Sequence, residues 1–276
     1  MIAWTLIPQG IPDITLFLIV GSLSAMVFGM SKTGFGSGIS ILAVPMMIYA
    51  CSHNATLAVG IMLPILIVAD YVAVITWWRK WSVRTVITLL PTTVLGIAIG
   101  WAALAGFRQM KIDPKTSAAN AWLMLGIGMI ALAFVGLHIF KRIVGQTASF
   151  RPRRWHTALA GSTAGFTSTL AHAAGPIITM YLLPQKKSKG TYVATTALFF
   201  WTANQIKLVP YLYLGMINTE TLGAGLILLP AIVAGAMLGR FLHHRVGPTQ
   251  FTVIVYILLA LAGGHMCYKA IGQLAQ

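Results

Sequence analysis

Long apolar runs, each closed off by polar, glycine or proline residues, recur from one end of this chain to the other. Ten such segments span roughly residues 11–31, 35–50, 55–78, 82–106, 119–140, 155–170, 172–184, 190–214, 221–242 and 249–270. A helix needs about 20 apolar residues to cross the hydrocarbon core, and most of these runs are near that length. Barrel strands would be about ten residues long and alternate in polarity, which these do not. With only 8% of its 276 residues charged, the chain lacks the polar surface that a soluble body needs. The expected fold is an all-α polytopic membrane protein embedded in the lipid bilayer.

The charges that remain are lopsided: 19 Lys and Arg face only Asp13, Asp70, Asp113 and Glu220, a net charge of +15. In a soluble chain that surplus would suggest nucleic acid; in a membrane chain it first sets orientation, and no nucleic-acid partner is expected. If every segment changes side, about 14 of the 19 basic residues fall on the loops around Lys32, Arg79 to Arg84, Lys141 to Arg154, Lys186 to Lys189 and Arg240 to Arg245. Those loops are then cytoplasmic, and both termini lie on the opposite side. The N-terminal run has no preceding Lys or Arg and is expected to stay as the first span. The four acids are scattered, so clustered carboxylates for a metal or a transported cation are not expected, and neither is any cofactor. Cys51 and Cys267 show no zinc-like spacing and are expected as free thiols.

Segments six and seven share about 30 residues, or about 45 Å of helix, too little for two full crossings of about 30 Å each. A broken hairpin with its tip near His172 to Pro176 is expected, and eight full spans plus short or broken elements fit the parity as well as ten spans do. The chain also repeats itself. TGFGSGISILAVP (Thr33 to Pro45) matches AGFTSTLAHAAGP (Ala164 to Pro176), and LPTTVLGIAIG (Leu90 to Gly100) matches LPAIVAGAMLG (Leu229 to Gly239). Two repeats of five segments, an odd number, must enter the membrane in opposite senses, an arrangement that places substrate sites at broken helices between the halves. The expected organisation is a first repeat over 1–142, a basic cytoplasmic linker over 143–154 and a second repeat over 155–276.

The Gly-rich breaks are where chemistry is expected. In GMSKTGFGSGIS, Lys32, Thr33, Gly34, Gly36, Ser37 and Gly38 interrupt apolar sequence, and glycines let backbone N–H groups approach an anion closely. The matching break offers Ser168, Thr169 and His172 ahead of Gly175 and Pro176, with proline suited to a first helical turn. Lys207, with Asn204 and Gln205 nearby, stands inside segment eight, where a lysine must pair, line a cavity or snorkel outward. Asp70 is the one acid well inside a segment; Asp70 and His172 are the candidate proton carriers. The expected substrate-binding set is Lys32, Thr33, Gly34, Gly36, Ser37, Gly38, Ser168, Thr169, His172, Gly175, Asn204 and Lys207. Trp77, Trp78, Trp81 and Trp155 sit beside basic residues and read as interfacial anchors.

These motifs, with the NATLAVGIMLP and KSKGTYVATTAL blocks, resemble the TauE/SafE-type sulfite and organosulfonate exporters over nearly the whole chain. The resemblance implies a permease of the bacterial inner membrane that moves small sulfur-containing anions such as sulfite or sulfoacetate; in that membrane the charge bias makes both termini periplasmic. Within it, Gly34, Gly36 and Gly38 match the first family motif, and Gly175 and Pro176 the second. The chain departs from the family in the serine of GFGSG and in the Ser/Thr-rich second break with His172, which bears on the headgroup contacts. A passive anion channel and a permease for small carboxylates are the rival readings, and a homodimer remains open. An intramembrane protease using Ser37 is disfavoured because Phe35 stands where such an enzyme wants glycine. No GxxxxGK[ST] nucleotide motif occurs.

Overall fold

The computed structural model describes residues 8, 10–35, 40–109, 118–144, 152–185, 187–242 and 248–275. It is predominantly helical, with no strand among the described residues. The first helix begins with a turn at Ile14–Leu16, capped by the Asp13 side chain, and widens into a π-type turn at Phe17–Gly21. It continues as α1 (Ser22–Met30) and ends in a second π turn, Ser31–Phe35. There follow α2 (Ala43–Ala50), α3 (Ala55–Thr76), α4 (Val83–Gln109), α5 (Ala118–Val144), α6 (Arg154–Ala171), α7 (Gly175–Leu182), α8 (Lys189–Tyr213), α9 (Thr219–Leu242) and α10 (Pro248–Leu274). These ten helices coincide closely with the ten apolar segments of the sequence.

Five stretches among the described residues are long and apolar enough to cross a membrane: Ile14–Gly34, Ala55–Thr76, Val83–Gly106, Asn120–Leu137 and Thr219–Leu242. These five do not decide between the eight and ten spans that the sequence leaves open, and two of the remaining long helices carry polar groups that lower their hydropathy. Ser162, Thr163, Thr167, Ser168 and Thr169 dilute α6, while Thr195, Thr196, Asn204, Gln205 and Lys207 dilute α8. At eight residues each, α2 and α7 reach only about 12 Å and cannot cross alone. The break between α6 and α7 falls at His172, where the sequence placed it: the residue adopts φ 48°, and α7 opens on Gly175 and Pro176.

The main helix packings of the bundle are α1 on α9, α6 on α4, α5 on α10, and α3 against both α9 and α8. The first two crossings are built from small residues, since in lipid helices associate by close backbone approach rather than by the hydrophobic effect. A Cβ on Gly235 would overlap the Met26 backbone, and one on Gly96 would overlap the Ser162 carbonyl. Gly29 faces Ile232 and Ala236, and Gly165 faces Thr93 and Ile97. Thr33 approaches Gly239 just as Thr169 approaches Gly100. On α4 and α9 these contacts follow the sequence match of Leu90–Gly100 with Leu229–Gly239. On the broken helices they pair Gly29, not Gly34, with Gly165, a register five residues away from the motif alignment. Degenerate Gly-rich sequence aligns equally well in several registers; backbone contact selects one.

The bundle interior holds Phe17, Phe28, Met47, Ile61, Met62 and Tyr211, while Ile75, Val209, Met237 and Leu261 face outward, an inversion suited to lipid. Trp78 and Trp155 are exposed as anchors should be, but Trp77 is not one of them: it is buried, and its Nε1 donates to the Thr33 carbonyl at 3.2 Å. Cys51 and Cys267 are free thiols.

Alanine normally stabilises a helix interior by about 1 kcal/mol over glycine, so the sign of a Gly→Ala change reads the packing. Gly235→Ala should instead cost about 1–3 kcal/mol through overpacking and lower the melting temperature of the purified protein in detergent. Gly136→Ala, where nothing lies within 4 Å of the added methyl, should leave it unchanged or raise it.

Candidate functional site

The two helix breaks and the polar stripe of α8 meet in the interior. Phe200, Asn204, Lys207 and Tyr211 recur at three- and four-residue spacing, so they share one face of α8, and all four are buried. That face meets α3 and the end of α6. On α3, Asp70 is fully buried; on the π turn after α1, Lys32 is 3% exposed and points inward.

Lys32 Nζ donates to Asp70 Oδ1 at 2.6 Å and lies 4.0 Å from the centre of the Phe200 ring. The other Asp70 oxygen accepts a short hydrogen bond from Asn204 Nδ2. Lys207 Nζ, with no exposed surface, donates to the Ser168 carbonyl at 3.1 Å, the Ser168 hydroxyl at 2.9 Å and His172 Nδ1 at 3.0 Å. An ammonium has three N–H groups, and here all three end on neutral acceptors. The snorkelling alternative for Lys207 is thereby removed: its head is held inside.

His172 is locked by its two neighbours. Nε2 lies 3.0 Å from the Val59 carbonyl, which can only accept, so this nitrogen carries the hydrogen. Nδ1 is then the acceptor for Lys207, and the ring in this geometry is neutral. Its left-handed backbone costs about 1–2 kcal/mol for a non-glycine residue, and the Val59 and Lys207 contacts hold it there.

Other expected site residues take different parts. Thr33 Oγ1 donates across to the Ala236 carbonyl at 2.6 Å and Thr169 Oγ1 back to the Gly165 carbonyl of its own helix at 2.8 Å, so both hydroxyls are engaged by backbone in this conformation. Tyr211, which sequence reasoning missed, donates to the Thr169 carbonyl at 2.8 Å and closes the floor under His172. Gly34 packs against Gly239, and Gly175 is buried at the start of α7. Gly36, Ser37 and Gly38 lie outside the described residues. Of five buried side-chain atoms without a hydrogen-bond partner among the described residues, two adjoin the site in sequence: Ser31 Oγ, beside Lys32, and Gln205 Nε2, beside Asn204. Both types were visible in the sequence, but their orphaned state was not. Among the described residues no group of three or more His, Cys, Asp or Glu comes together to hold a metal ion.

The arrangement is therefore a buried cluster of two lysines against one carboxylate, with an excess charge of one when all three are ionised. Removing a single partner of a buried ion pair costs about 3–5 kcal/mol because the other charge is stranded. Asp70→Asn should thus lower the detergent melting temperature markedly. Adding Lys32→Met to it should recover much of the loss, giving a large coupling in the double-mutant cycle.

A family model described as sulfite exporter TauE/SafE matches residues 20–266, which takes in both helix breaks and all three ionisable residues of the cluster. No curated protein and no solved structure matches the chain. The chain belongs to the TauE/SafE family.

Proposed function

We propose that this member of a membrane exporter family is a secondary transporter that carries sulfite, sulfoacetate or a related organosulfonate out across the bacterial inner membrane. The observation that carries the reading is the charge imbalance: Lys32 and Lys207 are both buried, and Asp70 is the carboxylate within the cluster. A buried cation without its own anion is costly, and a small anion entering beside Lys207 relieves that cost. Lys32, Lys207, Ser168 and Asn204 then supply charge-assisted hydrogen bonds, with Ser31 and Gln205 as further donors for the sulfonate or sulfite oxygens. Asp70 acts as an internal counter-anion that holds Lys32 until substrate replaces it, and it is the coupling group if a proton is co-transported.

Alternating access between two inverted five-segment halves, over 1–142 and 155–276 with the 143–154 joint between them, is the mechanism that fits. Its support is a set of paired contacts. Exchanging α1 with α6 and α4 with α9 converts one glycine crossing into the other, in matching register. The same register sets Lys32 opposite Ser168, so the Lys32–Asp70 contact has its counterpart in the Ser168–Lys207 contact. The polar cluster then sits where the halves meet, as in other inverted-repeat carriers.

The test is flux in proteoliposomes with sulfite, sulfoacetate, taurine and thiosulfate. Saturable transport with counterflow supports the carrier, whereas unitary currents would establish a channel, and preference for small carboxylates would move the substrate class. Lys207→Ala and Lys32→Ala should each weaken kcat/KM about 10- to 100-fold, the worth of one charge-assisted contact. If both variants fold and keep wild-type kinetics, the anion site is misplaced. With proton coupling through Asp70, Asp70→Asn keeps counterflow but loses accumulation driven by a pH gradient.

A further inference from the structure

Away from the buried cluster, a groove of about 550 Å³ opens where α4 begins, α6 begins and α7 ends. Among the described residues its charged lining is Arg84 and Arg154, with no acid. Neither arginine has an ion pair among the described residues. A third cation stands behind the wall: Lys187 Nζ donates to Thr85 Oγ1 at 2.7 Å, and Thr85 lines the groove. Arg79 to Arg84, Arg151 to Arg154 and Lys186 to Lys189 are the basic clusters that mark the cytoplasmic side by charge bias, so this end of the bundle faces the inner leaflet.

The lining changes character with depth. Arg84 sits in the first turn of α4, whereas Ile87, which is 61% exposed, and Pro91 lie further along the same helix. At 1.5 Å per residue, the groove runs about 10 Å along α4 from Arg84 to a floor of Ile87 and Pro91, where the Thr88 and Thr92 hydroxyls are already donated to the Thr85 and Leu89 carbonyls. A free inorganic anion has no use for that floor; a lipid phosphate with an attached acyl chain matches both ends. The hydroxyl of Thr157 is bonded to Tyr181 Oη at 2.8 Å, which leaves the two guanidinium groups as the strong donors.

We propose that this groove binds an anionic phospholipid of the cytoplasmic leaflet, with its phosphodiester on Arg84 and Arg154 and one acyl chain along Ile87 and Pro91. The site lies at the α4–α6 crossing, so a bound lipid braces the helix that carries Ser168 and His172 against its scaffold. It depends on membrane orientation and not on the identity of the transported anion.

Native mass spectrometry of the full-length protein, released from detergent micelles doped with phosphatidylglycerol or phosphatidylcholine, tests this directly. Wild-type protein should retain phosphatidylglycerol about tenfold or more over phosphatidylcholine, since each basic residue near the surface is worth about 1 kcal/mol. Arg84→Gln combined with Arg154→Gln should abolish that preference while Arg240→Gln leaves it intact. Millimolar inorganic phosphate should fail to displace the lipid. Equal retention of the two lipids by wild-type protein overturns the proposal without recourse to any variant. So does undiminished phosphatidylglycerol retention by a monodisperse double variant, and so does displacement by phosphate, which would make this a soluble-anion site.

Discussion

Burying charge in a lipid-embedded bundle is the constraint from which the architecture follows. Two ammonium groups and a carboxylate lie within a core of Phe, Met, Ile and Leu side chains: Lys207 makes three hydrogen bonds, Asp70 accepts on both oxygens, and Lys32 has Asp70 and the Phe200 ring. That accounting needs four separate elements to converge: the π turn after α1, the middle of α3, the end of α6 and the face of α8. The small-residue crossings have the same cause, because the helix breaks that deliver Lys32 and Ser168 can reach the interior only if their backbones lie almost directly on α9 and α4.

The two halves of the cluster satisfy their lysines by different chemistry. Lys32 has a carboxylate and an aromatic ring; Lys207 has a hydroxyl, a carbonyl and an imidazole. Only the first is charge-neutral. The asymmetry sets the two lysines apart, and the proposed anion site rests on the Lys207 end, where His172 Nδ1 and Ser168 share one amine.

Much of this was legible in the sequence, and for definable reasons. Segment limits follow from local composition, and the break at His172 to Pro176 from arithmetic on helix length. Lys207 and Asp70 announced themselves as ionisable residues inside apolar runs, where the cost of burial demands an explanation. Partnership was another matter. Lys32 and Asp70 are 38 residues apart, and Asn204 and Asp70 are 134 apart; no local pattern encodes those contacts. Trp77 misled because tryptophan beside arginine is the usual mark of an interface, and its burial depends on a carbonyl 44 residues away. The glycine register failed similarly, since a run of closely spaced glycines carries too little information to fix its own alignment.

The α1–α9 seam also bears on how the chain is made. Met26 and Gly29 meet a helix that lies about 200 residues downstream, and Thr33 donates to the Ala236 carbonyl across 203 residues. During synthesis the first helix therefore enters the bilayer long before its partner exists, with a bare glycine face turned to lipid. Asp70 reaches Lys32 early, but Asn204, Phe200 and the α9 scaffold arrive only near the end. Assembly of the N-terminal part must wait for the C-terminal part, so truncation anywhere before α9 leaves the first break unsupported rather than yielding a smaller working unit.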